Sequence, residues 1–177
     1  MCLGAAADSG AIGQRSDDRP GTLQEIDFLS QRTRNMADDK TIKSEKAPQP
    51  VGAYPHARKV GDLLYLSGIG PRPADGGLAP GVTLDDSGEV ISYDIEAQCH
   101  AVFANVRAVL ESAGASWDDL VDITVYLTDI RCDFTIFNTI YAEYFSADGP
   151  CRTTVEVNRL PTPIAIELKC IADVGKD

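Results

Sequence analysis

The apolar residues in the middle of the chain recur at the spacing of amphipathic helices. Between Asp94 and Ala113 they fall at intervals of three and four, which predicts a helix over this range. Its stripe comprises Ile95, Cys99, Val102, Phe103, Val106, Val109 and Leu110. Ser92 or Asp94 can cap the start of this helix, and Gly114 ends it. A second helix is predicted over Asp133–Phe145, where aromatic and aliphatic residues are placed to pack.

Strand patterns flank the two helices. From Leu120 to Leu127 apolar and polar residues alternate, as on a half-buried strand. Ala57–Val60 and Leu63–Gly68 are strand-like on either side of a two-residue turn, which indicates a hairpin. Two more strand-like segments, Gly149–Val157 and Ile164–Ala172, follow the second helix. This order predicts an α+β domain with two helices on one face of a mostly antiparallel sheet.

The remaining segments set the limits of the domain. Residues 1–46 carry little periodic apolar pattern beyond a short helix predicted at Thr22–Arg32, and we expect them to form a flexible N-terminal extension. Residues 47–174 then form one domain. Ile69–Glu89 reads as a long loop rich in Gly, Pro and Asp, and loops of this length inside compact domains are often functional.

The alternation in the first of the two C-terminal strands assigns residues to two sheet faces. Val155 and Val157 share one side, opposite Arg152, Thr154 and Glu156, so the valine side suits the helices and the other side is half polar. Cys151 lies on the side opposite Arg152 and is predicted to join the core. A half-polar sheet face needs cover, and a second subunit is its natural cover.

Composition and charge exclude several classes of protein. The formal net charge is -11 and the sequence has no cluster of Lys and Arg, so a nucleic-acid backbone is not an expected partner. No apolar run is long enough to cross a membrane. Five cysteines without C-x-x-C spacing fit a reducing cytosol, and the two histidines, His56 and His100, form no zinc-ligand pattern with them. We therefore predict a cytoplasmic protein without a metal.

Two ionic residues in the C-terminal strands carry the candidate chemistry. Arg152 opens the first strand, and a guanidinium can bind a carboxylate through two parallel hydrogen bonds. Glu167 lies inside the second strand, and a carboxylate in apolar surroundings has a raised pKa and can exchange protons. Each also has a plainer interpretation: Arg152 as a solvated strand-end residue, and Glu167 as the polar half of an alternating strand that it shares with Lys169. Together they suggest a site that holds a small carboxylic acid and moves a proton.

Several short segments, in this order and spacing, resemble the Rid (YjgF) family over about residues 44–172. They are Ala47–Tyr54, Leu66–Gly68, the helix around Asn105, Asp119–Leu127, Phe137–Asn138, Pro150–Val157, Ile166–Glu167 and Ile171–Ala172. The resemblance implies a chorismate-mutase-like α+β fold, a homotrimer, and sites in the clefts between subunits. It also implies hydrolysis of enamine or imine forms of amino acids to keto acids and ammonia, with no metal or organic cofactor.

The resemblance also assigns roles to individual residues. Arg152 would bind the substrate carboxylate, and Glu167 would orient water and shuttle protons. Tyr54, Ser67 and Asn138 would line the pocket, although each also has an ordinary packing or hydrogen-bonding interpretation.

His56 is either structural or, like Arg72, placed to meet a second substrate carboxylate. Thr154, Ile69, the Pro55–His56 pair and the long loop depart from the best-known branch of the family and look more like the 2-aminomuconate deaminase branch. The alternative to an enzyme is a non-catalytic trimer that binds a small carboxylate or acts through protein contacts, as a regulator or chaperone.

Overall fold

The computed structural model describes residues 40–175, which form a six-stranded sheet with two helices and a small separate hairpin. The strands are β1 (Lys40–Ile42), β2 (Ala57–Val60), β3 (Leu63–Leu66), β4 (Thr83–Leu84), β5 (Val90–Ser92), β6 (Leu120–Leu127), β7 (Cys151–Glu156) and β8 (Ile166–Asp173). The helices are α1 (Ile95–Ser112) and α2 (Ile130–Tyr144), with a short 3-10 turn at Trp117–Asp119. The predicted α+β class, the two helices and the β2–β3 hairpin are confirmed.

The large sheet has the strand order β1-β2-β3-β8-β6-β7, and its pairs are antiparallel except for β6 and β7. Parallel neighbours need a crossover, and α2 provides it between β6 and β7. The sheet is therefore mostly antiparallel, as predicted. Because β7 is an edge strand beside α2, the arginine that it carries lies next to that helix.

The core lies between the helices and one face of the sheet. Alternate residues of β8 and β6 are buried there, and the apolar stripe of α1 packs against the same cluster. Each large aliphatic side chain that is fully buried contributes about 1.5–3 kcal/mol relative to an exposed one. The large aliphatic residues of the sheet that are fully buried include Ile123, Val125, Leu127, Ile166 and Leu168.

Side-chain caps fix the ends of the helices. The Asp94 carboxylate accepts a hydrogen bond from the Ala97 N–H at 3.0 Å, so α1 begins where predicted. Gly114, at φ +76°, follows its last turn. The second helix begins one turn earlier than the predicted Asp133, because Asp129 caps it by accepting from the N–H groups of Arg131 and Cys132.

Three short strands were not predicted from the sequence. The small β4–β5 hairpin ends the predicted Ile69–Glu89 loop, and its turn is held by Asp85, whose carboxylate accepts from the N–H groups of Ser87 and Glu89. Strand β1 lies within the predicted extension 1–46 and pairs with β2, with Ile42 in the core. The folded domain therefore starts before residue 47, and the predicted helix Thr22–Arg32 lies outside the described residues.

The assignment of the two faces of β7 is corrected. Arg152 is paired with the buried Ile123, so it lies on the helix side of the sheet, whereas Val155 is paired with Tyr126 on the other side. Cys151 is exposed rather than part of the core. A period of two separates the faces of a strand but does not say which face is inner, and here the aromatic rings of α2 lie against the arginine guanidinium. We call the side without helices the open face.

No helix within residues 40–175 is long and apolar enough to cross a lipid bilayer.

Candidate active site

Arg152 lies on the edge strand β7 with its guanidinium against helix α2. Its Cζ is 4.4 Å from the ring centroid of Tyr141 and 5.5 Å from that of Phe137. One of its amino groups donates to Oδ1 of Asn138 at 2.9 Å. The side chain remains exposed, so most of its N–H donors face solvent. This arrangement presents a permanent positive charge that suits a carboxylate.

Helix α2 and strand β7 are joined at a second point. The N–H of Ile130, the first residue of α2, donates to Oε2 of Glu156 at 2.9 Å. Asn138 and Tyr141, one turn apart on α2, both contact Arg152. The structure thus brings two predicted site residues, Arg152 and Asn138, together in what we call the arginine half-site.

Glu167 lies in β8 on the open face of the sheet, where it is half-buried beside Tyr126 of β6. Gly68 lies against its carboxyl group: a Cβ atom at position 68 would stand 2.8 Å from Cδ of Glu167. A larger residue at position 68 would therefore push the carboxyl group of Glu167 aside. Burial raises the pKa of Glu167 above its usual value of 4.5. The carboxyl group is suited to exchange protons closer to neutral pH.

Gly68, which adjoins the carboxyl group of Glu167, also lines a hollow of about 40 Å³. The hollow is also lined by Tyr54 and Ser67, and Gly68 links it to Glu167; we call Glu167 and this hollow together the glutamate half-site. The Ser67 hydroxyl donates to the carbonyl oxygen of Pro55 at 2.6 Å, which leaves its oxygen free to accept. Tyr54 is exposed and lies at the rim.

His56 borders the same hollow but is tied to the main chain. Its Nδ1 accepts from the Ser44 N–H at 3.0 Å, and its Nε2 lies 3.1 Å from the Pro48 carbonyl oxygen, to which it donates. Both ring nitrogens are thus occupied, and the structural interpretation of His56 is the one that fits. Arg72 also lines the hollow. One of its amino groups donates to the backbone carbonyl oxygen of Gln49 at 2.9 Å, which leaves other donors for a ligand.

The two half-sites lie on opposite faces of the sheet. Arg152 is paired with Ile123 and Glu167 with Tyr126, and residues three apart in β6 point to opposite sides. One chain therefore does not bring the guanidinium of Arg152 and the carboxyl group of Glu167 to the same substrate. Each half-site alone offers only a carboxylate anchor or only a proton carrier.

Two buried thiols lie outside the half-sites. Burial raises the pKa of the thiols of Cys99 and Cys170 to about 12, so neither is a ready nucleophile. Within those residues no three side chains of His, Cys, Asp or Glu are grouped to hold a metal ion.

Sequence reasoning missed Tyr141 and Gly68. The spacing of three residues between Asn138 and Tyr141 was a usable signal, since it places both on one side of a helix. For Gly68 no local signal existed, because its contact with Glu167 spans about a hundred residues of chain.

Comparison with known proteins identifies relatives along most of the described chain. The family described as Endoribonuclease L-PSP matches residues 44–174. A RutC family protein of Saccharolobus solfataricus, SSO3206, is 46% identical over 131 residues, covering 74% of this chain and 94% of its own. Reactive Intermediate Deaminase A, chloroplastic, of Arabidopsis thaliana is 36% identical over 133 residues, covering 75% and 65%.

A solved structure shares the fold. The structure of E. coli TdcF with bound serine has a TM-score of 0.65 and 30% identity, over 76% of this chain and 98% of that one. The family match over residues 44–174 includes both helices and both half-sites. The chain therefore belongs to the Endoribonuclease L-PSP family, the group that includes the RutC and Rid proteins.

Proposed function

We propose that this protein hydrolyses 2-imino acids, formed from 2-amino-2-enoates, to 2-keto acids and ammonia. The observation that carries the proposal is the pair of half-sites: a cradled guanidinium for a carboxylate, and a half-buried carboxyl group with a raised pKa for protons. Two relatives agree with this chemistry, one named a reactive intermediate deaminase and one solved with bound serine. The proposal needs no metal or organic cofactor.

The complete site, in this proposal, forms between two copies of the chain. The open face exposes polar groups, among them Asp122, Thr124 and Lys169, beside the half-buried Glu167. A neighbouring copy that covers this face would bring its own arginine half-site towards the glutamate half-site. We propose a homotrimer, in which each cleft combines Arg152 of one copy with Glu167 of the next.

The proposed mechanism uses few groups. Arg152 anchors the substrate carboxylate, and Asn138 holds one arm of that guanidinium. Glu167 orients a water molecule and accepts its proton as the oxygen attacks the imine carbon. The same carboxyl group returns that proton to the nitrogen, which gives a carbinolamine. It then transfers the proton of the new hydroxyl group to the amino nitrogen, so that the C–N bond breaks, ammonia leaves, and the keto acid remains. Positioning and proton transfer are sufficient, because such imines already hydrolyse in water.

Mixing two inactive variants tests this arrangement. Arg152→Ala and Glu167→Gln should each abolish release of ammonia from 2-aminoacrylate as homo-oligomers. Unfolding and refolding them together in equal amounts should restore about a quarter of the wild-type activity, because one cleft in four then combines an intact Arg152 with an intact Glu167.

The controls separate the possible outcomes. Each variant refolded alone must stay inactive, and wild type refolded with itself sets the full value. Inactive variants with no recovery on mixing would show that one copy supplies both groups. Full activity of Arg152→Ala would refute the assignment of Arg152.

The finer proposal is that the substrate is a dicarboxylate such as 2-aminomuconate. Arg72 supports this proposal, since it lines the same hollow as Gly68 and keeps guanidinium donors free for a second carboxylate. Ammonia release from 2-aminomuconate and from 2-aminoacrylate should be measured in parallel. We expect Arg72→Ala to raise KM for the dicarboxylate and to leave the small substrate unaffected. Equal effects on both would reject the second contact.

The alternative function is a non-catalytic module that binds a small carboxylate, and it is favoured by the fact that the arginine half-site is complete without Glu167. Calorimetry with pyruvate, together with the ammonia assay, distinguishes the two. Binding of pyruvate without any turnover of either imine would support the module. The charge of -11 does not favour an RNA substrate, despite the family description.

A further inference from the structure

The guanidinium of Arg152 lies over an aromatic ring. Its Cζ is 4.4 Å from the centroid of Tyr141, within the range of a cation–π interaction, while Phe137 is more distant at 5.5 Å. An exposed arginine on an edge strand normally samples many rotamers, because nothing beside it fixes the long side chain. Here one face of the guanidinium is occupied, and the rest can meet a ligand.

Asn138 restrains the guanidinium at a second point, with a hydrogen bond of 2.9 Å. This bond fixes one nitrogen but allows the group to rotate about it. The ring of Tyr141 supplies the missing restraint from a different direction. Two contacts from one rigid helix can hold the charge in a single pose before a ligand arrives.

The hydroxyl group of Tyr141 does not take part in this contact. It is buried and has no hydrogen-bond partner in the protein. Burial also raises its pKa, which keeps it neutral. The ring, and not the hydroxyl group, is therefore what Tyr141 offers to Arg152.

We propose that Tyr141 is a positioning residue, whose ring holds the guanidinium of Arg152 in the pose that receives the substrate carboxylate. This inference rests on the proposed function of Arg152. It makes Tyr141 a determinant of substrate binding without any contact to the substrate.

Three variants test the role in kinetics. Tyr141→Leu should raise KM for 2-aminoacrylate by about three- to tenfold and change kcat by less than about twofold, because only carboxylate binding loses its preorganised anchor. Tyr141→Phe keeps the ring and should restore the wild-type KM. Tyr144→Leu is the matched control. Tyr144 is a half-buried tyrosine of the same helix, but it contacts Phe103 and His100 rather than Arg152.

The outcomes are distinct. An unchanged KM in Tyr141→Leu, or an equal rise in Tyr144→Leu, would overturn the proposal. A rise in Tyr141→Phe equal to that in Tyr141→Leu would assign the effect to the hydroxyl group, which also overturns it.

A second measurement does not depend on activity. The Nε–Hε proton of Arg152, identified by its loss in Arg152→Lys, should be shifted upfield in the NMR spectrum by the ring current of Tyr141. The shift should persist in Tyr141→Phe and Tyr144→Leu and disappear in Tyr141→Leu. A shift that survives in Tyr141→Leu would refute the positioning role. A ring-dependent shift in a protein that turns over no imine would instead reject the proposed function and keep the contact.

Discussion

The arginine and glutamate half-sites differ in how far their charged groups are removed from water. Arg152 is exposed at a sheet edge and is held by one helix close to it in sequence. Glu167 is half-buried in an interior strand and depends on a glycine about a hundred residues away. A group that binds a charge must keep its own charge, so it stays in contact with water. A group that exchanges protons needs a shifted pKa, so it is partly removed from water.

The difference also affects how each half-site responds to change. The arginine half-site consists of side-chain contacts between neighbouring elements, which a single substitution can remove one at a time. In the glutamate half-site the carboxyl group of Glu167 occupies the space that the missing side chain of Gly68 leaves. Adding a side-chain atom at position 68 can therefore disturb this half-site as much as removing one from Glu167. Substitutions that separate binding from chemistry should therefore fall on different faces of the sheet.

The largest expected effect comes from Glu167→Gln. It should lower kcat by about 10²–10⁴-fold, because proton transfer is lost while the shape is kept. Binding of pyruvate, measured by calorimetry, should be retained, whereas Arg152→Ala should lose it. Loss of pyruvate binding in Glu167→Gln would mean that Glu167 also contributes to carboxylate binding, and that binding and proton transfer are not separated between the two half-sites.

Gly68→Ala should have the next largest effect. The new Cβ would stand 2.8 Å from Cδ of Glu167 and displace its carboxyl group. We expect kcat to fall on the order of ten- to a hundredfold, since small misplacements of a reacting group are costly. In a Glu167→Gln background the same change should add little, because both act through one carboxyl group. Additive losses in the double variant would show that Gly68 acts elsewhere.

The titration of Glu167 should be visible in stability. Its pKa is raised by burial from 4.5, so between 4.5 and the higher folded value the folded state binds more protons than the unfolded state. The stability contributed by this group is thus present below the unfolded pKa and is lost as pH rises through the folded pKa. From about pH 4 to about pH 7, the Tm of wild type should decline relative to that of Glu167→Gln. Glu143→Gln, at an exposed position, serves as control, and parallel Tm curves for wild type and Glu167→Gln would contradict the shift.

Thr154→Val should have the smallest effect. The Thr154 hydroxyl group lies on the Arg152 side of β7, is buried, and lacks a partner within the protein. Replacing it with a methyl group should stabilise the protein by up to about 1 kcal/mol, because a buried unsatisfied hydroxyl is unfavourable. Urea unfolding measures this change. A loss of stability, or a loss of activity without any change in stability, would indicate that the hydroxyl group has a partner in the assembled site.

The helices and central strands were predictable because their signals are local. Asp94 and Gly114 delimit α1 as expected, and β6 has the predicted bounds. The start of α2 was placed a turn late because the cap Asp129 precedes any periodic residue. Strand β1 has only three residues and was invisible without its partner β2.

For the site, residue types were predictable but their placement was not. Arg152 and Glu167 are in adjacent sequence strands, which suggested that they meet, yet β6 lies between those strands in the sheet. The strand order is set by the α2 crossover, which no pattern in the strands themselves encodes. The face of Arg152 likewise depends on the register of β7 with β6, and its aromatic neighbour Tyr141 lies on another element.

Two hydrogen bonds between α2 and β7 hold these elements together independently of the loop that connects them. Ile130 is bonded to Glu156 at the start of the helix, and Asn138 to Arg152 along its length. The exposed residues Ser146, Ala147 and Asp148 only link elements that are already fastened, and lengthening such a loop costs little entropy. A peptide tag or a small fluorescent domain inserted there would sit beside the arginine half-site without moving it, and so could serve as a built-in reporter of ligand binding.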